Sequence, residues 1–210
     1  MSSEEQGMLN GQLYNVYSEE LTPKYQRKDH LLHQINFPSS EINPQAKLKE
    51  LIGKMGDNCY VEPPFFCDFG TNITFGDNVY CNTNCIFLDS GKITIGNRVL
   101  IGPRVNLFAA GHPIDATVRN HWLGVAKPIT IGSDVWIGGG VTVNPGVTIG
   151  NNVVIGSGAV VTTDIPDNVV AVGNPCRVLR KITDQDQAEW RVKEQAYIKD
   201  RGPLKQPIIR

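Results

Sequence analysis

The chain has 210 residues, 20 Lys and Arg against 21 Asp and Glu, a formal net charge of -1, and 40% apolar residues. That length suits one large domain with appendages better than two folds, and the near-neutral balance gives no field to attract nucleic acid or acidic lipid. No run approaches the roughly 18 apolar residues of a membrane span, and the opening MSSEEQGMLNGQ lacks the basic and apolar regions of a signal peptide. A soluble, cytoplasmic protein is expected, with no nucleic-acid or membrane partner. The five cysteines (Cys59, Cys67, Cys81, Cys85, Cys176) form no CxxC pair, which argues against a disulfide framework or a structural zinc site. With 21 glycines the chain is rich in tight turns.

Residues 1–57 read as a helical preface. Thr22-Pro23 opens one helix through Leu31, Leu32 and Ile35, and Asn43 caps a second with Pro44 in its first turn. Both are placed to seal the first coil of the repeat that begins downstream. From Phe75 the chain repeats every six residues: Phe75, Cys81 and Phe87, with Val79 and Cys85 four positions after the first two. A two-residue slip then falls at Asp89, Ser90 and Gly91, a turn signature where the extra residues are expected to bulge outward. The frame resumes as Ile95, Ile101 and Leu107, partnered by Val99 and Val105.

Beyond a gap the same frame gives Ile131, Ile137, Val143, Ile149, Ile155 and Val161, with Val135, Val141, Val147, Val153, Ala159 and Ile165 as partners. A period of six fits neither an α-helix nor a hairpin meander. It fits a short strand plus a two-residue corner, stacked as a mainly β, hexapeptide-repeat parallel β-helix over residues 58–181. Three legs per coil of about 18 residues give a triangular prism. Residues of the two inward columns, Cys81 and Cys85 included, are core by default. Periodicity does not set handedness; the ordinary crossover rule predicts a right-handed winding.

The frame breaks at Pro113 and Arg119, so residues 112–127 are expected to form a loop thrown out of the solenoid. A long excursion in an economical repeat marks the place for a site. Residues 182–210 come last, as a short helix capped by Thr183, running through Trp190 and Tyr197, and an extended tail from Pro203 to Arg210.

His112 sits at the coil edge, and Pro113 turns the chain off the strand path. A neutral imidazole there can take a proton from an attacking hydroxyl; equally, it can be a turn histidine bonded to backbone. Only His112 and His121 lie near the solenoid, too few for a zinc-hydrolase centre, so no metal is expected. Nucleophile-elbow, P-loop and dinucleotide fingerprints are missing from the sequence.

The segments GHPI (111–114), DVWIGG (134–139), NPGVTIG (144–150) and GNPCRV (173–178), with the preface GQLYNVYSEEL, together resemble the maltose and galactoside O-acetyltransferases. The resemblance implies a left-handed β-helix, a homotrimer with sites between adjacent prisms, and acetyl transfer from acetyl-CoA to a sugar hydroxyl in a ternary complex. His112 matches the family's general base. Asp68, Tyr80 and Asn82 match acceptor-side positions, although on their own they read as a turn cap, surface packing and an asparagine ladder. Gly139 matches a position whose N–H faces the thioester oxygen, and otherwise reads as a coil glycine. Ser157, Thr162, Thr163, Arg177 and Arg180 match positions along the acetyl-CoA path, where either arginine is otherwise a solvated charge. Trp136 stands as an aromatic wall beside them, or as plain packing.

The chain departs from the family at four places. Ser90, an acceptor-side position, replaces a carboxylate; Thr163 replaces a lysine; Val16 and Ser18 stand near positions held by aspartate in related members. These changes leave the acceptor unnamed. The same chemistry on an amino-acid or antibiotic hydroxyl, and a noncatalytic assembly scaffold, are the alternatives.

Overall fold

A computed structural model describes residues 3–204. Its framework is a parallel β-solenoid whose coils give short strands to three faces. The first face stacks strands 54–55, 73–75, 93–95, 129–131 and 148–149; the second stacks 60–61, 80–81, 100–101, 136–137, 154–155 and 169–172. The third stacks 65–67, 85–88, 106–108, 142–143 and 160–161. The first face begins at Lys54, a few residues ahead of the expected boundary at 58. Strand 177–181 adds antiparallel to 169–172 and closes the second-face sheet.

The six-residue columns point inward as the periodicity requires. On the first face Phe75, Ile95, Ile131 and Ile149 are all at most 1% exposed. Each such side chain contributes roughly 1.5–3 kcal/mol relative to leaving it in water. Between the first and second faces every coil turns through a left-handed residue: Asn58, Asn78, Arg98, Asp134, Asn152 and Asn168. Asn and Asp tolerate that conformation because their short polar side chains bond locally. Here they also bond along the axis, Asn58 to Asn78 at 2.7 Å and Asn152 to Asn168 at 2.9 Å, while Arg98 pairs with Asp134 at 2.6 Å. Glycine precedes this corner because coils stack closely: a Cβ on Gly132 would lie 2.7 Å from the Gly150 carbonyl oxygen.

Coil length varies at one corner only. Ile73 pairs with Ile93, 20 residues on, whereas Ile131 pairs with Ile149, 18 residues on. The two extra residues fall between the third and first faces, at 68–72 and 89–92. They do not bulge outward as the turn signature suggests: Asp89 is fully buried and Ser90 is 4% exposed. The reason is hydrogen bonding, since the Asp89 carboxylate accepts from the backbone N–H of Asp68, Phe69 and Asn72 at 3.0, 2.8 and 3.2 Å.

Among the described residues five helices flank the prism: α1 (Glu4–Leu9), α2 (Thr22–Asn36), α3 (Pro44–Leu51), α4 (Ala116–Arg119) and α5 (Asp184–Arg201). Leu31, Leu32 and Ile35 of α2 and Leu48 and Leu51 of α3 join the main core and seal its first coil. Asn43 caps α3 through the N–H groups of Gln45 and Ala46. Thr22 is instead the first residue inside α2, whose N-cap Leu21 makes no side-chain bond. The preface is not wholly helical either, for Tyr14–Asn15 form a strand. Thr183 and Asp186 form a reciprocal capping box on α5, which runs 18 residues and buries none of them. It is therefore longer than the short helix expected. The tail from Pro203 onward lies almost wholly outside the described residues.

Residues 112–127 are more ordered than a plain loop. Ala110–Gly111 leave the third face and pair antiparallel with the returning strand Leu123–Ala126, with α4 between them. The returning strand also pairs with Tyr14–Asn15, which ties the preface to the excursion in a three-stranded sheet. Tyr14, Met8, Leu21, Phe69 and Ala126 form a second, smaller core beneath it.

Candidate active site

The excursion leaves from the same corner that holds the extra residues of the lower coils. Between that corner and the preface strand lies a cleft of about 280 Å³, whose lining includes Tyr14, Val16, Asp68, Ser90 and His112. A second cleft of about 330 Å³, lined by His112, Arg119, Asn120 and Trp122, adjoins it. The imidazole therefore stands between two openings.

Its orientation is fixed by backbone. His112 Nδ1 lies 3.0 Å from the carbonyl oxygen of Leu123 on the returning strand. A carbonyl only accepts, so Nδ1 carries the proton and the lone pair is left on Nε2. The backbone bond anticipated for a turn histidine is thus present, and it leaves one ring nitrogen basic. Arg119 braces the start of the excursion by donating to the carbonyls of Pro113 and Ile114 at 2.8 and 2.9 Å.

On the floor of the first cleft the Ser90 hydroxyl donates to Asp68 at 2.9 Å. Burial raises the Asp68 carboxyl to about 6, against the pull of the Ser90 bond. Asp68 is not the turn cap; that task falls to Asp89. Burial also lifts Asp89 above the usual carboxylate range, although backbone N–H groups pull it down. Tyr14 is buried and its phenol is raised by the same desolvation. Gly124 faces Tyr14 across the strand pair, and a Cβ there would stand 2.7 Å from the ring. Periodicity gave no reason to single out Asp89, Tyr14 or Gly124. The slip in frame at residues 89–91 is the signal that points to Asp89.

The structure brings Asp68, Ser90 and His112 together and places the other predicted residues elsewhere. Tyr80 lies on the second face, stacked on Tyr60 with ring centroids 6.4 Å apart. Asn82 follows it at the corner between second and third faces, where its side chain accepts from the Thr83 N–H at 2.8 Å. Gly139 and Ser157 occupy that same corner in higher coils. Among the described residues the backbone N–H of neither one meets an acceptor. Trp136, 56% exposed, flanks them on the second face. Thr162 and Thr163 are exposed on the His112 corner, further along the axis. Arg180 is held by Asp186 in a bidentate pair at 2.7 and 2.9 Å, a partner that residue spacing did not assign. Arg177 donates to the Cys176 carbonyl and has no carboxylate partner among the described residues. Of the departing preface positions, Val16 lines the cleft, whereas the Ser18 hydroxyl accepts from the Glu20 N–H in a turn.

Two family profiles match: the maltose acetyltransferase hexapeptide capping motif over residues 8–56, and the bacterial transferase hexapeptide (six repeats) over residues 128–163. Galactoside O-acetyltransferase of Escherichia coli strain K12 is 45% identical over 179 residues, covering 84% of this chain and 88% of that protein. The chain belongs to the maltose and galactoside O-acetyltransferase family. A galactoside acetyltransferase solved in complex with coenzyme A superimposes with a TM-score of 0.85 at 42% identity, covering 89% of this chain and 94% of that one. A hexapeptide-repeat acetyltransferase from Vibrio cholerae O1 biovar eltor, complexed with acetyl coenzyme A, gives 0.81 at 39% identity, covering 87% and 100%. This member of the family is an acetyltransferase, which sets the scaffold alternative aside.

Proposed function

We propose that the protein transfers an acetyl group from acetyl-CoA to a hydroxyl of a sugar or sugar-like acceptor, with His112 as general base. The bond between Nδ1 and the Leu123 carbonyl carries this reading, because it leaves Nε2 basic at a point open to two clefts. Nε2 takes the acceptor's hydroxyl proton as the oxygen attacks the thioester carbon. The resulting tetrahedral oxyanion collapses, the C–S bond breaks, and the leaving thiolate recovers the proton from the imidazolium. The free Gly139 N–H is a suitable donor to the oxyanion, and Arg177 to a phosphate of the carrier.

Gly139 and His112 belong to different corners of one prism. A homotrimer that sets one copy's second-to-third corner against the next copy's excursion assembles both halves, and closed cyclic symmetry is the usual solution. Asp68 and Ser90 supply a carboxylate and a hydroxyl to hold and orient acceptor hydroxyls.

The test is His112→Ala, assayed by CoA release with a panel of mono- and disaccharides. The expected result is a kcat lower by about 10²–10⁴ with secondary structure and sedimentation unchanged. Retained turnover by the variant would exclude His112 as the base.

A further inference from the structure

Trp122 has a backbone no tryptophan prefers. Its φ is +59°, and it is the only aromatic among the described non-glycine residues at positive φ; the others are Asn, Asp and Arg at prism corners. A bulky side chain in the left-handed region is strained, and such strain persists where the surrounding structure imposes it, often at a site of function. Here the neighbours impose it: Trp122 precedes Leu123, whose carbonyl is bonded to His112, and its own carbonyl accepts from the Val16 N–H at 3.2 Å.

The indole is nevertheless 59% exposed, so core packing does not account for it. It meets Tyr17, 69% exposed, edge to face with ring centroids 5.2 Å apart. The two rings line the cleft that holds His112, Asp68 and Ser90, and Trp122 also borders the second cleft. The site is thus polar at Asp68 and Ser90, basic at His112, and aromatic at its exposed rim.

We propose that Trp122 is a specificity-determining residue, an aromatic platform on which the flat apolar part of the acceptor stacks while its hydroxyl is presented to His112. The chemistry it selects is a hydroxylated acceptor bearing a planar apolar substituent, such as an aryl glycoside, over the bare hexose. The proposal rests on the acceptor-side reading of this cleft given above.

The experiment compares the full-length protein with Trp122→Gly and Trp122→Phe. Binding of a phenyl glycoside and of the matching free hexose is measured by calorimetry, and acetyl transfer by CoA release. Glycine accepts the left-handed backbone, so Trp122→Gly is expected to melt no lower than the parent. Its affinity for the phenyl glycoside is expected to fall about tenfold, the scale of one good aromatic stacking contact. Affinity for the hexose and KM for acetyl-CoA should move less than about twofold, and Trp122→Phe should recover part of the loss. Unchanged phenyl glycoside binding overturns the proposal. So does an equal loss for both acceptors, a changed sedimentation coefficient, or a parent protein that binds no phenyl glycoside. A parent that binds the phenyl glycoside yet releases no CoA with any sugar would sink the sugar-transfer reading while leaving the platform standing.

Discussion

Three carboxyl and hydroxyl groups at one corner divide the labour between holding the chain and lining the cleft. Asp89 spends its oxygens on backbone N–H groups, which frees Asp68 to bond Ser90 at the cleft floor. Asp68 is harder to ionise folded than unfolded, so its protonated form favours the fold. Its contribution is whole below pH about 4 and is lost as pH rises through about 6. Thermal melts across that window are expected to show Asp68→Asn falling less with pH than the parent. An identical slope in the two proteins would assign the effect to other groups, Asp89 first.

Gly124 shows what a residue without a side chain contributes. Its missing Cβ is the space in which the Tyr14 ring lies. Gly124→Ala is expected to raise the acceptor KM severalfold and to lower the melting temperature by several degrees, as a clash of this size costs roughly 1–3 kcal/mol. Calorimetric melts and steady-state kinetics read both. Periodicity made the inward columns legible, because Ile95 or Ile149 recurs with a fixed neighbour above and below. The slip marked Asp89 as a turn, but neither its buried bonds nor the role of Gly124 was legible, because each answers to a partner brought near only by the fold.

At the scale of elements, α5 and the 110–126 excursion stand at opposite extremes. The excursion is pinned by two antiparallel pairings, and its return strand is shared with the preface. The preface strand was missed because two residues leave no alternation to detect, whereas the Asn43-Pro44 start of α3 was plain from its cap. By contrast α5 presents no buried residue, so no apolar stripe marks its end. Its capping box and the Arg180–Asp186 pair tie down only its start. Truncation after Ile182 is expected to shift the melting temperature by less than about 4 °C, since surface changes are usually within about 0.5 kcal/mol. A larger fall would mean that α5 packs against something beyond its own chain.

For the whole molecule, stability and the proposed chemistry reside in separate parts. The column is continuous, so a gap anywhere in it is felt: Ile137→Ala, at a fully buried position, is expected to cost about 2–5 kcal/mol in denaturant unfolding. The proposed site needs two corners that a single prism holds apart. Co-refolding equal amounts of His112→Ala and the donor-side variant Ser157→Tyr therefore offers a direct test. About one interface in four would then carry both intact halves, restoring on the order of a quarter of parental turnover. No restoration would place both halves within one chain. The split was invisible to residue spacing, which orders positions along the axis and does not say which corners meet.

The point at which the excursion departs and returns has an evolutionary consequence. Lys127 donates its backbone N–H to Ala109 at 3.0 Å, so the two ends are already side by side. Ile93 pairs with Ile129 at 36 residues, twice the upper-coil length of 18. Excising one coil's worth of chain would leave an ordinary, closed rung. On the proposed assignment selectivity rides on a removable cassette, and a descendant that exchanges it would refit the small core that Ala126 shares with Phe69 and the preface while leaving the inward columns as they stand.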